Sequence, residues 1–265
     1  TDMGERKTYH RGRRKKKKGG IISTLILIIA IAVFCVSGYQ LYKIFGGYHQ
    51  GKSEYDKVRE VAVHGDDKDE DEFVVDFDEL KKINADTVGW IRFYPEPSQI
   101  SYPLVQTTDN DLYLNRTFSA NENTVGAIFV NCDNASDFSD RNTIIYGHRM
   151  RDHSMFHDLE KYKDESFWKE NPYFYIYTPD GRKLTCHIYS AGIVKDTSST
   201  YLTQFASDEE YQAFLDDTKR AGAYHTGVEV TTDQRVVTLS TCTAASDDNR
   251  MVVRGVIESE DVVKK

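Results

Sequence analysis

Residues 235–257 read RVVTLSTCTAASDDNRMVVRGVI: two apolar, β-branched runs on either side of the polar stretch Thr243–Asn249. Runs of this length, rich in Val, Ile and Thr, read as strands, and the Ser/Asp/Asn-rich interval reads as the loop joining them. If the strands are neighbours, Cys242 and Arg250 stand side by side at one rim of a sheet. A thiol at neutral pH is mostly protonated, so nucleophilic use needs a base or a cation nearby, and a fixed cation can also bind an oxyanion.

Working outward, the same kind of short run recurs at SYPLV (101–105), GAIFV (126–130), NTIIYG (142–147), FYIYT (174–178) and KLTCHIYSAGIV (183–194), separated by Asn, Asp, Gly and Ser clusters. Phe77, Leu80 and Ile83 fall at helical spacing ahead of a short strand with Trp90 and Ile91. Ser207-Asp208-Glu209-Glu210 is a capping box, and Tyr211, Phe214 and Leu215 then share a face, which predicts a helix over 208–221. Seven or eight short strands with peripheral helices point to a mainly β fold, a closed or nearly closed barrel, because closure removes exposed edges.

Charge divides the chain differently. The 265 residues carry a formal charge of -8, from 34 Lys+Arg and 42 Asp+Glu. Residues 1–18 hold nine of the basic residues against Asp2 and Glu5, leaving 25 basic and 40 acidic for 19–265. An acidic body lacks the clustered cations that a nucleic-acid surface needs, so a nucleic-acid partner is not expected. No charge occurs from 19 to 42, a stretch that reaches roughly 36 Å as a helix and suffices for a hydrocarbon layer of about 30 Å. With the cations on its N-terminal side, the positive-inside rule predicts a single-pass anchor in the cell membrane, its N-terminus cytoplasmic and the remainder extracellular. A cleaved signal peptide is the weaker reading, since only Val36-Ser37-Gly38 resembles a cleavage site. Bulky Phe34 before Cys35 argues against lipid attachment at that thiol. The expected organisation is a basic head at 1–18, a transmembrane helix at 19–42, a polar acidic spacer at 43–72 and a catalytic domain at 73–260.

Beyond Cys35, three cysteines remain: Cys132, Cys186 and Cys242. An odd number leaves at least one thiol free within a chain, and Cys132 with Cys186 is the pairing to consider. His148, just past the strand NTIIY, is the base closest in kind to what Cys242 needs. Alone, each of Cys242, His148 and Arg250 has an ordinary structural reading.

Together, the segments FDELKKINADTVGWI (77–91), YPLVQTTDNDLYLN (102–115), GAIFVN (126–131), NTIIYGHRMRDHSMFHDL (142–159) and TLSTC (238–242) followed by RMVV (250–253) resemble the sortases of Gram-positive cell surfaces, class B most closely. The resemblance implies a closed eight-stranded barrel with peripheral helices. It implies a transpeptidase that cleaves a C-terminal sorting motif of secreted proteins after Thr. Cys242 matches the nucleophile, His148 the acid and base, and Arg250 the oxyanion and positioning group. Asn110, Leu114, Thr197, Tyr201 and Ser240 match residues that hold the sorting peptide. The implied acceptor is an amino group of a peptidoglycan precursor or a pilin subunit, and no cofactor is implied. Thr243 stands where the family can carry a Glu, and no Asp or Asn is assigned as a third member of a triad.

Rival readings differ in class. His148, His153 and His157 with Asp152 invite a zinc hydrolase, but the spacing is not HExxH. A hydrolytic cysteine protease shares the Cys and His without its usual sequence context. A tethered adhesin would leave Cys242 inert. No P-loop or GxGxxG occurs, so no nucleotide cofactor is indicated.

Overall fold

The computed structural model describes residues 19–65, 72–243 and 248–263. The basic head and the acidic run at 66–71 lie outside the described residues. Helix α1, Gly19–Ala62, has no proline to interrupt it. Its stretch from Ile22 is long and apolar enough to cross a membrane, and none of its apolar window is buried. The chain divides into two units between Gly46 and Gly47.

The second unit begins earlier than the expected domain start at Phe73. Where a solvated stalk or a loosely helical spacer is expected, the helix continues to Ala62 and buries Gly51, Tyr55, Val58 and Ala62. These positions are spaced four, three and four apart, which places them on one face of a helix. The Tyr55 hydroxyl donates to the Gly126 carbonyl (2.7 Å) and accepts from the Phe118 amide (3.2 Å). Glu54 accepts from Ser119 N at 2.9 Å. A two-residue pairing, β1 (Val63–His64) with β2 (Val74–Val75), closes this entry segment. Asp76 then caps helix α2 (Phe77–Ile83), accepting from Glu79 N at 2.9 Å. Of its predicted apolar face only Leu80 is fully buried, and Ile83 is exposed.

Eight strands close into a barrel: β3 (Thr87–Phe93), β4 (Ser101–Val105), β5 (Ile128–Val130), β6 (Asn142–Tyr146), β7 (Tyr173–Tyr177), β8 (Arg182–Lys195), β9 (Val236–Cys242) and β10 (Asn249–Val262). Their order around the barrel is β10-β8-β7-β3-β4-β5-β6-β9. The pairs β4/β5 and β6/β9 are parallel and the other neighbours antiparallel. Parallel neighbours need long crossovers, and these supply the segments that surround the rim. Inward residues such as Ile91, Leu104, Ile128, Ile145, Leu184, Leu239 and Val253 fill the interior.

Between β6 and β7 lie a 3₁₀ segment at His157–Lys163 and helix α3, Glu165–Glu170. Helix α4, Asp208–Arg220, follows the predicted cap: Ser207 Oγ accepts from Glu210 N at 3.2 Å. Glu210 itself reaches back to the Ala206 amide (2.6 Å), one residue beyond the capping-box partner. Tyr211, Phe214 and Leu215 bury that face against Tyr189, Val230, Val236 and Val256. Cys132 and Cys186 do not pair: all four cysteines are free, and Cys186 is buried in the barrel core, where burial pushes its thiol far up.

Candidate active site

Strands β9 and β10 are antiparallel neighbours, and their register sets Arg250 directly opposite Cys242. The sheet alone therefore brings these two residues together, as the reading of 235–257 expects. Cys242 is exposed at the end of β9. The Arg250 guanidinium is half-buried; Nη1 donates to the Asn249 carbonyl at 3.2 Å and Nη2 lies 3.7 Å from Asp196 Oδ2.

His148 arrives from the parallel neighbour of β9. Tyr146 pairs with Ser240, and the Gly147 amide donates to the Ser240 carbonyl at 3.2 Å, so the chain leaves β6 at the rim where β9 ends. Gly147 is required by packing, since a Cβ there would lie 2.4 Å from Ile128 Cδ1 and 2.7 Å from Phe156. The half-buried imidazole turns Nε2 to the Leu114 carbonyl at 2.6 Å. A carbonyl only accepts, so Nε2 carries a proton.

Cys242, His148 and Arg250 line one cleft of about 220 Å³ with Asn110, Leu114, Phe129, Tyr146, Gly147, Ser240 and Thr241. Of the five predicted peptide-holding residues, Asn110, Leu114 and Ser240 lie in this wall. Tyr201 is attached to it: its hydroxyl pairs with Ser240 Oγ at 2.9 Å, and its ring stacks on Tyr146 at 6.2 Å and 16°. Thr197 is exposed in the turn after β8 and is not among the cleft-lining residues.

A hydrogen-bonded band supports the cleft. Asn110 Oδ1 accepts from the Cys132 amide (2.9 Å), and Asn131 Oδ1 accepts from the Asp133 amide at the same distance. Asn131 Nδ2 donates to the Tyr146 hydroxyl at 3.2 Å. Burial raises both phenols, Tyr146 to about 12, so each stays neutral near pH 7. Tyr201 sits on a 3₁₀ turn, Ser199–Tyr201, tied down by buried Arg254, whose Nη2 donates to Thr200 Oγ1 at 2.7 Å. Asn142 Nδ2 also donates to the Thr200 and Leu202 carbonyls, at 3.2 and 2.8 Å. Sequence reasoning did not single out Tyr146, Asn131 or Arg254. Tyr146 had a visible signal, standing two residues before His148 in IIYGH; Arg254 had none, because its contact is 54 residues away.

The closed eight-stranded barrel, with this cleft at one rim, is the sortase fold. The family model described as Sortase domain matches residues 96–258. Sortase B of Staphylococcus aureus is 31% identical over 231 residues, 87% of this chain and 93% of the relative. Sortase B of Listeria monocytogenes serovar 1/2a is 32% identical over 240 residues, 86% of this chain and 93% of the relative. The crystal structure of sortase B from B. anthracis in complex with AAEK1 superposes with a TM-score of 0.68 at 32% identity, covering 84% of this chain and 100% of that one. The chain belongs to the sortase family, transpeptidases that anchor proteins to the cell wall, and its relatives place it with class B.

Proposed function

We propose that this chain is a membrane-anchored sortase that cleaves a C-terminal sorting motif of secreted proteins after Thr and transfers the new carboxyl end to an amine. In the first half-reaction, with the Cys242 proton held by His148, the Cys242 sulfur attacks the Thr carbonyl carbon. The peptide C–N bond breaks, His148 supplies a proton to the departing amine, and a thioacyl enzyme remains on Cys242. In the second half, His148 takes a proton from an incoming amine, which attacks the thioester and releases the thiolate. Arg250 faces the oxyanion of both tetrahedral intermediates, where a fixed guanidinium stabilises charge as it develops. The acceptor is an amino group of a peptidoglycan precursor or of a pilin subunit. Asn110, Leu114, Tyr201 and Ser240 hold the peptide. Thr197, which the resemblance also assigns to the peptide, would have to reach it from outside the cleft lining.

The observation that carries this reading is the cross-strand pair Cys242–Arg250 sharing one cleft with His148. The anchor reading is supported by the apolar span of α1 and by the nine basic residues before it, which favour a cytoplasmic N-terminus and an extracellular barrel. The test is turnover of quenched sorting-motif peptides by the detergent-solubilised chain, with and without an amine acceptor. Product that depends on the amine, and disappears in Cys242→Ala, is expected. Equal turnover by Cys242→Ala would overturn the mechanism, and amine-independent product would make the chain a hydrolase.

A further inference from the structure

Two imidazoles and a buried carboxylate converge on the loop that follows His148. The sequence groups His148 with His153 and His157, but the fold separates them, because His148 turns to the Leu114 carbonyl. Asp152 is engaged locally, accepting from the Ser154 amide and hydroxyl at 3.2 and 2.7 Å. The carboxylate that joins the two outer histidines is Asp158. One ligand atom from each of His153, His157 and Asp158 lies within 4.8 Å of the other two. The two imidazole rings are 4.1 Å apart, centroid to centroid.

Three details favour a metal over a simple polar cluster. His157 Nδ1 lies 2.5 Å from the Met150 carbonyl and must donate to it, which leaves the Nε2 lone pair for a ligand bond. Metal-binding histidines usually have this backbone partner on the other nitrogen. Asp158 is only 4% exposed, and Lys161 Nζ holds its Oδ2 at 2.9 Å, which fixes the other oxygen. That oxygen, Oδ1, stands 3.5 Å from His153 Nδ1. The gap is longer than an ordinary N–H···O bond of about 2.9 Å. It is close to the separation of about 3.4 Å between two ligands on a tetrahedral zinc with bonds of about 2.1 Å.

We infer that His153, His157 and Asp158 form a site for a zinc-type divalent ion. Two imidazoles and one carboxylate suit a borderline cation, with water completing the four ligands such an ion takes. The ion does not meet the reacting thiol. It clamps the loop that returns to the base, where the Phe156 amide donates to the His148 carbonyl at 2.9 Å.

The test uses the full chain in detergent, free of any polyhistidine tag, titrated with zinc alone and then with Co²⁺ as a spectroscopic probe. One equivalent of zinc should bind and raise the melting midpoint. The Co²⁺ form should show tetrahedral ligand-field bands without the charge-transfer band of a thiolate ligand. His157→Gln and His153→Gln should each weaken zinc binding by at least roughly tenfold. His153 is exposed, so its variant keeps the fold and the comparison interpretable. Unchanged affinity in both variants, a thiolate charge-transfer band, or no uptake of zinc would overturn the site.

Discussion

His148 Nε2 donates to the backbone carbonyl of Leu114 across 2.6 Å, so the imidazole is oriented by the last residue of the 3₁₀ segment Leu112–Leu114, which itself lines the cleft. Gly126 packs against this arrangement. It adopts φ +66°, and a Cβ there would lie 2.7 Å from His148 Cδ2, 2.8 Å from the Tyr113 carbonyl and 2.9 Å from that of Leu114. Gly126→Ala should therefore move the imidazole together with the Tyr113–Leu114 backbone that orients it, on top of about 1–2 kcal/mol of left-handed backbone strain. We expect kcat to fall about tenfold to a hundredfold, as misplacement of a reacting group does. Steady-state kinetics beside a thermal melt check this; wild-type kcat would show that the imidazole position is tolerant.

Arg250→Lys should lose at least about a hundredfold in kcat/KM, because an ammonium lacks the planar fork that a guanidinium offers an oxyanion. Asp196→Asn is the matched control. Its carboxylate is 3.7 Å from Arg250 and 40% exposed, and such pairs contribute little. A change of less than about threefold is expected there. If Arg250→Lys keeps a near-normal rate, the guanidinium is structural.

The cleft's central pair was legible because the two strands follow each other closely in the sequence and pair antiparallel, so Cys242 and Arg250 become neighbours by register alone. The capped helix after Ser207 was legible for the same local reason. The long-range contacts were hidden. Nothing near Leu114 marks its carbonyl as a partner for His148, 34 residues away. The stripe Gly51, Tyr55, Val58 and Ala62 was present in the sequence but sits among charged neighbours, and its partners at 118 and 126 belong to a distant crossover. Composition therefore allowed a helical spacer but did not show that one face of the helix is packed.

Tyr201→Phe removes a hydroxyl and keeps the ring that stacks on Tyr146. A hydrogen bond of about 0.5–1.5 kcal/mol corresponds to roughly a twofold to twelvefold rise in KM for the sorting peptide, with kcat less affected. Equal KM would mean that Tyr201 only packs.

Thiol chemistry separates the cysteines of the barrel. Cys242 is exposed, Cys132 is partly covered with its thiol raised by burial and by Asp133, and Cys186 is fully buried. Because the thiolate is the reactive form, alkylation near neutral pH should modify Cys242 first, Cys132 more slowly, and Cys186 only after denaturation. Peptide mapping by mass spectrometry gives the order, and modification of Cys132 ahead of Cys242 would count against Cys242 as the nucleophile.

The end of α1 belongs to the folding unit, and a truncation series tests this. A chain beginning at Gly47 retains Tyr55, Val58 and Ala62, whereas one beginning at Phe73 exposes the surfaces they cover. Burial of Tyr and Val side chains is worth about 1.5–3 kcal/mol each, so the shorter chain should lose about 3 kcal/mol or more. Burial also holds the Tyr55 phenol well above its ordinary value, so it stays a neutral donor. Tyr55→Phe leaves the Gly126 carbonyl and Phe118 amide without that partner, which should cost about 1–3 kcal/mol. Since Gly126 packs on His148, the same variant should lower kcat under conditions where it is fully folded. Urea unfolding and kinetics on one set of proteins decide the matter: equal midpoints for the two truncations would return residues 47–72 to the role of a spacer.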